Sequence, residues 1–215
     1  MSEGHDHDHE HVYDGSLVLE DDAGNQEGED RSTALQRLLV RRGLLTPAEV
    51  TSQVQKLEAP NPAWGAAVVA KAWADSEYKE RLLANGKEAA AELGYQIGEA
   101  QLVVVENTAN VHNVIVCTLC SCYPRTLLGQ PPAWYTSKAY RARCVREPRT
   151  VLSEFGLDLP ESMELYVHDS NADMRYLVLP RRPSGTDGWT EGELAELVTR
   201  DSLIGVAEPM APGSN

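Results

Sequence analysis

The sequence predicts an α+β fold, a helical arm leading into a mixed domain, and three observations carry that reading. Apolar residues recur at helical spacing up to about residue 98. From residue 101 short β-rich apolar runs take over. Neither a regular strand–helix alternation nor a glycine-rich phosphate loop marks a doubly wound parallel fold. The expected divisions are an acidic, His-rich tail over 1–30, a helical arm over 31–98, and an α+β domain over 99–215.

The tail holds eleven Asp and Glu residues and no Lys or Arg. It has too few apolar side chains to offset chain entropy, so disorder is expected. His5-Asp6-His7-Asp8-His9-Glu10-His11 alternates imidazole with carboxylate, a tract that either holds divalent ions loosely or serves as a solubilising tail. Leu35, Leu38 and Leu39 share a helix face, with Gly43 as its stop. Thr46-Pro47-Ala48-Glu49 is a capping-box start, and Val50, Val54 and Leu57 follow on one face. Pro60-Asn61-Pro62 interrupts the chain, then helices are predicted over 63–74 and 76–93, the second ending near Gly94. Trp64, Val68, Ala72 and Trp73 fit either a core or a partner-facing surface. Such an arm is a natural clasp for another subunit, though packing on its own domain is the default.

Strands are predicted at 102–105 and 114–116, the second leading directly into a cysteine cluster. A short helix over 148–155 is closed by Gly156. Strands at 164–168 and 175–179 are joined by a polar turn, and Thr190 to Glu193 caps a last helix running to about Asp201.

The net charge is −14, but residues 31–215 contain 22 acidic and 19 basic residues, a net −3. The folded part is therefore near neutral. No basic patch with interleaved aromatics points to nucleic acid. No apolar run approaches the ~18 residues of a membrane span. With no signal segment visible at Met1 and no obvious thiol pairing, a cytoplasmic protein is expected.

The most informative stretch is Val116-Cys117-Thr118-Leu119-Cys120-Ser121-Cys122-Tyr123. Three soft thiolate donors at C-x-x-C-x-C spacing can surround one ion without help from distant sequence. With Cys120 and Cys122 both bound, the backbone between them is pressed against the metal. The amide nitrogens of Ser121 and Cys122 then become possible ligands. A disulfide, buried structural cysteines, or part of a zinc or iron–sulfur site compete with this reading. Cys144 reads as a small buried apolar residue. Ser121 lacks a nucleophile-elbow setting. Asp169 and Asp173 suit a turn paired with Arg175 or another Arg better than an acid/base couple. His112 fits a hydrogen-bonding role under the cysteine loop better than ligation.

The stretch from Val111 through Pro124 resembles the metal-binding segment of nitrile hydratase α subunits. So do Pro131-Pro132-Ala133-Trp134-Tyr135, Tyr140-Arg141-Ala142-Arg143, Glu147-Pro148-Arg149, Arg175 to Pro180, Arg182-Pro183 and Gly185 to Trp189. Thr118 and Tyr123 match the cobalt branch. The resemblance implies a helical arm plus a layered α-β-β-α domain. It also implies one low-spin Co(III) held by the sulfurs of Cys117, Cys120 and Cys122 and the deprotonated amides of Ser121 and Cys122. Cys120 would be a sulfinate. Cys122 would be a sulfenate and the catalytic group that hydrates a nitrile to an amide. Expected partners are one or more β-type subunits supplying arginines to the site, and a cobalt-insertion activator.

The resemblance implies Glu106 as a pocket residue or else a structural carboxylate, and Trp134 and Tyr135 as channel-lining or else buried packing residues; Arg125 joins them as a substrate-binding candidate. Arg125 is a departure: most members carry Trp after the Cys-Tyr-Pro, and Gln130 is also polar where an apolar residue is common. That suits a larger polar or heteroaromatic nitrile, as in toyocamycin-type nitrile hydratases, or else an Arg125 paired with a partner-subunit carboxylate. The metal-bearing subunit of thiocyanate hydrolase and a non-enzymatic structural metal module are the alternative functions.

Overall fold

Helix starts in this chain are written into its caps, and the computed structural model shows most of them formed. It describes residues 26–98 and 101–213. The bulk of the acidic tail, with its expected disorder and its His tract, lies outside the described residues. The arm opens with α1 (Gln26–Arg41), which starts inside the span expected to be tail. Acidic sequence is favoured at a helix N-terminus by the backbone dipole, so high charge did not preclude a helix there. Gly43, at φ 68°, ends it. In α2 (Pro47–Glu58) the capping box forms: Glu49 N–H donates to Thr46 Oγ1 at 3.2 Å and Thr46 N–H to the Glu49 carboxylate at 2.7 Å.

The first part of the arm, α1 and α2, does not pack on the rest of the chain. No residue of α2 is buried, and Leu35, Leu38, Val54 and Leu57 stand exposed by 41–70%. The default expectation is corrected here, since the apolar face that the sequence predicts has no covering element among the described residues.

The core begins with α3 (Pro62–Ala74), capped by Asn61, where Val68, Val69, Ala70 and Ala72 are buried. Trp64 is half-buried and stacks on Tyr95, while the Trp73 indole N–H donates to Pro180 O at 2.8 Å. The helix expected over 76–93 is two helices, α4 (Ser76–Ala84) and α5 (Gly86–Glu92). Asn85 breaks it by adopting an extended conformation and accepting Glu88 N–H at 3.2 Å, a competition that Asn side chains often win.

Four strands follow: β1 (Gln101–Glu106), β2 (Val111–Val116), β3 (Glu164–Asp169) and β4 (Met174–Leu179). β1 pairs with β4 and β2 with β3, both parallel. The turn after β3 is therefore not a hairpin; it carries the chain from one ladder to the other. Parallel pairing of β2 with β3 needs a long crossover. It is supplied by α6 (Arg125–Leu128), α7 (Ala133–Thr136), α8 (Lys138–Arg146) and α9 (Pro148–Glu154). A β-α-β connection exists where the sequence suggested none. α4 and α5 lie against β1, α8 against β2 and α9 against β3, and the ladders pack on each other through β1, β2 and β4. This is the layered α-β-β-α arrangement.

The last helical segment also divides, into α10 (Glu191–Glu196) and α11 (Arg200–Ile204), because Thr199 makes its own capping box with Ser202. Gly205 ends α11 at φ 87°, with its Cα so close to β2 that a Cβ would collide with the Asn113 carbonyl. Among the described residues no helix is long and apolar enough to cross a membrane.

Candidate metal centre

Val114, Ile115 and Val116 are completely buried and fix the end of β2, so the chain leaves the sheet at one defined point. The next residue is Cys117, also buried; Cys120 is exposed and Cys122 half-buried. All four cysteines are free thiols. The Cys117 and Cys120 sulfurs are 3.5 Å apart, those of Cys120 and Cys122 are 3.1 Å apart, and all three lie within 4.8 Å of one another. Cys120 N–H donates to Cys117 Sγ at 3.3 Å. Three sulfurs thus converge on one place.

The electrostatics of the thiols favour a cation there. Hydrogen bonding, first from Cys122 and then from Cys117, holds the Cys120 thiol below its ordinary range. Burial pushes the Cys122 thiol well above it, with nearby Arg175 acting the other way. Three thiolates this close together repel one another, so such a set needs a positive ion among them. The donor set therefore fits a metal, and its soft sulfurs fit a transition metal better than magnesium or calcium.

Distant residues hold this loop by its backbone. The Asp169 carboxylate, at the end of β3, accepts Thr118 N–H at 2.9 Å and Thr118 Oγ1–H at 2.6 Å. The Arg141 guanidinium donates to the carbonyls of Cys117 and Thr118, both at 3.0 Å. The Tyr135 hydroxyl donates to Cys122 O at 2.8 Å, and Tyr140 to Ile115 O at 2.6 Å. Sequence reasoning assigned no role to Arg141 and weighed Asp169 only as a turn or acid/base residue. The signal was present, since Arg141 lies in a resembling motif, but partners 24 and 51 residues apart carry no local pattern.

The other expected site residues fall in different places. Tyr135 is fully buried, its ring 5.1 Å from Tyr123, and supports the loop from beneath rather than facing an open channel. Trp134 is half-buried with its edges against Tyr140 and Phe155 at 4.9 and 4.8 Å. Arg125 and Gln130 are both exposed and bonded to each other, Nη2 to Oε1, so the two departures from the family pattern form a pair. Glu106 is not brought to the sulfurs. Its carboxylate pairs with Lys79, and its carbonyl accepts from Asn113 Nδ2, four residues up β2 from Cys117, on the order of 13 Å along a strand. Asp169 binds Thr118, while the Arg175 guanidinium donates to the Asn171 and Met174 carbonyls.

His112 is buried at the start of β2 and does not ligate. Nε2–H donates to Gly205 O at 2.7 Å, which leaves Nδ1 to accept from Asn107 Nδ2 at 3.2 Å. Asn107 Oδ1 in turn accepts Asn113 N–H at 2.8 Å and Asn113 Nδ2 at 3.0 Å. Cys144 is fully buried.

A family model for the nitrile hydratase alpha chain matches residues 26–207. The chain is 54% identical over 185 residues to the nitrile hydratase subunit alpha of a Rhodococcus species, covering 85% of this chain and 93% of that one. It is 52% identical to the cobalt-containing nitrile hydratase subunit alpha of Pseudonocardia thermophila, covering 82% and 88%. To the thiocyanate hydrolase subunit gamma of Thiobacillus thioparus it is 46% identical, covering 82% and 77%. Among solved structures it superposes on a double mutant of the Fe-type nitrile hydratase of Comamonas testosteroni with a TM-score of 0.80. The identity there is 47%, over 88% of this chain and 93% of that one. A sulfur cluster at the end of β2, clamped from β3 and from the crossover helices α7 and α8, thus stands in a sequence matched over most of its length: the chain belongs to the nitrile hydratase α-chain family.

Proposed function

We propose that this chain is the metal-bearing α subunit of a cobalt nitrile hydratase. The observation that carries the reading is the convergence of the Cys117, Cys120 and Cys122 sulfurs at the end of β2. Cobalt is supported by the cobalt-containing relatives and by Thr118, whose hydroxyl is engaged by Asp169. When bound, a trivalent ion supplies a Lewis acid that polarises the nitrile.

The chain's own residues supply the rest. Cys117, buried with its carbonyl held by Arg141, is the fixed thiolate. Cys120, the exposed sulfur, is the site of sulfinate formation, and Cys122 of the sulfenate. The sulfenate oxygen of Cys122 acts on the nitrile carbon directly or takes the proton from the attacking water, and the product is the amide. Tyr135 keeps Cys122 in place through its carbonyl.

The assembly follows from what the chain leaves uncovered. The apolar face of α1 and α2 suits a β-type subunit, as does Leu119 at the loop tip, 84% exposed. Anionic sulfur–oxygen groups need cationic donors, and we assign these to arginines of that partner. A cobalt-insertion activator fits a site whose thiols must be loaded before they are oxidised. Free thiols suit the reducing cytoplasm.

For the substrate, the Arg125–Gln130 pair offers donors and an acceptor where an apolar wall is usual, which favours a larger polar or heteroaromatic nitrile. The same guanidinium, with the 46% identity to thiocyanate hydrolase subunit gamma, supports a second reading with the thiocyanate anion as substrate. The test is co-expression with the partner subunits in cobalt medium. The complex is then assayed on a small aliphatic nitrile, a heteroaromatic nitrile and thiocyanate. Amide from the heteroaromatic nitrile supports the first reading, and carbonyl sulfide from thiocyanate the second.

A further inference from the structure

Arg141 lies on α8 and reaches back to two consecutive carbonyls at the root of the cysteine loop. Nε donates to Cys117 O and Nη2 to Thr118 O, each at 3.0 Å. A guanidinium presents two parallel donors in one rigid plane, which suits two neighbouring oxygens; an ammonium cannot reproduce that fork. The helix that carries it is itself fixed. Tyr140, one residue earlier, is tied to Ile115 O in β2 at 2.6 Å. Arg143, two residues later, bonds Glu147 at 2.6 Å and Glu154 in α9 at 2.9 Å. Asp169 grips Thr118 through its N–H and hydroxyl. The peptide after Cys117 is therefore held by a cation through its carbonyl oxygens and by an anion through its donors.

Two consequences follow. The buried Cys117 side chain has its direction set by a backbone that cannot swing, so its sulfur is already placed towards Cys120. Three thiolates and two amidates would also bring five negative charges to a trivalent ion, and a guanidinium hydrogen-bonded to the backbone of the same loop offsets part of the excess.

We infer that Arg141 is a positioning residue of the metal loop. It fixes the Cys117–Thr118 backbone so that the sulfurs converge before the ion arrives. This rests on the reading of the loop as the metal site, and the experiment separates the two. The full-length chain, reduced and under anaerobic conditions, is titrated with cobalt(II), and the thiolate-to-cobalt absorption is followed. Thermal midpoints of the metal-free chains are recorded alongside.

Arg141→Ala is expected to bind cobalt(II) roughly 10- to 100-fold more weakly, with an altered absorption band. Arg141→Lys, which keeps the charge but reaches one carbonyl, should fall between it and the wild type. Arg146→Ala removes an exposed cation of the same helix that bonds Ala142 O, and should match the wild type. Wild-type chain that takes up no cobalt(II) would break the metal-site reading itself. Wild-type uptake matched by both Arg141 variants, in affinity and spectrum, would overturn the positioning role. So would equal weakening in Arg146→Ala, which would make the effect one of bulk charge. If Arg141→Ala unfolds, Arg141→Lys decides: wild-type affinity and spectrum there overturn the role, and weaker binding with a shifted band supports it.

Discussion

Each end of β2 carries a polar cluster, and the two are built on opposite rules. At its start, His112, Asn107 and Asn113 form a closed network in which the His112 nitrogens and the Asn107 and Asn113 amides have partners within the protein. At its end, three thiols have one another for partners, while the bonds that reach the loop from other elements go to its backbone and to Thr118. Buried polar groups that satisfy one another specify a fold. Donors that converge but are left for something else mark a binding site. His112 lies five residues from Cys117 and has a ligand's chemistry, yet it belongs to the first class.

That contrast is broken or sharpened most strongly by the cysteines. Replacing Cys117, Cys120 or Cys122 by Ser in the assembled complex should remove stoichiometric metal and reduce kcat by at least about 1000-fold, a loss on the order of 4 kcal/mol of transition-state stabilisation. Elemental analysis with steady-state kinetics checks it. Near-normal activity in any one variant would mean that its sulfur is structural.

His112→Ala should show the opposite profile. It leaves the Gly205 carbonyl and the Asn107 amide unpaired in the core and opens a cavity, costing about 2–4 kcal/mol of stability. Metal content per folded chain should stay at the wild-type level. Denaturant unfolding and cobalt analysis of the folded fraction make the comparison, and a selective loss of cobalt without loss of stability would put His112 in the metal site.

Arg125→Trp tests the pocket rather than the centre. If the guanidinium meets a polar substrate, the ratio of kcat/KM for heteroaromatic over small apolar nitriles should fall roughly 10- to 150-fold, the worth of a charge-assisted hydrogen bond of about 1.5–3 kcal/mol. An unchanged ratio would leave Arg125 with Gln130 as a surface pair. Failed assembly with the partner would place it at the subunit interface.

The smallest effect is expected at Cys144. It is buried at the Tyr140 side of the core, outside the sulfur cluster, and Cys144→Ala should cost about 1 kcal/mol with activity largely kept. Sensitivity equal to that of Cys117 would mean that the ligand set has been misassigned.

What could be read from the sequence divides along the same lines. The sulfur ligands were legible because they lie within six consecutive residues, and the caps at Thr46 and Thr190 because a cap is a local pattern. The break at Asn85 was missed because one residue ends a helix and caps the next, and the other because Thr199 caps a new helix two residues after Leu197 closes the one before it. The parallel partner of β2 was not legible, since it lies beyond a crossover of four helices. Nor were the clamps from Arg141, Asp169 and Tyr135 onto the loop, which depend on that crossover for their positions. Glu106 was read from a resemblance, as a pocket residue or a structural carboxylate; the short β1–β2 connection sets it at the far end of β2 from the cysteines, against Lys79.

The central claim is that the convergent sulfurs hold a cobalt ion whose ligands are oxidised. Its most direct test is elemental analysis of the complex purified with its partner subunit, together with peptide mass spectrometry of the same sample. The account predicts close to one cobalt per chain, a gain of about 32 Da at Cys120 and a more labile gain of about 16 Da at Cys122, with Cys117 and Cys144 unmodified. An active complex carrying stoichiometric zinc or iron, or one with cobalt and three unoxidised cysteines, would contradict it.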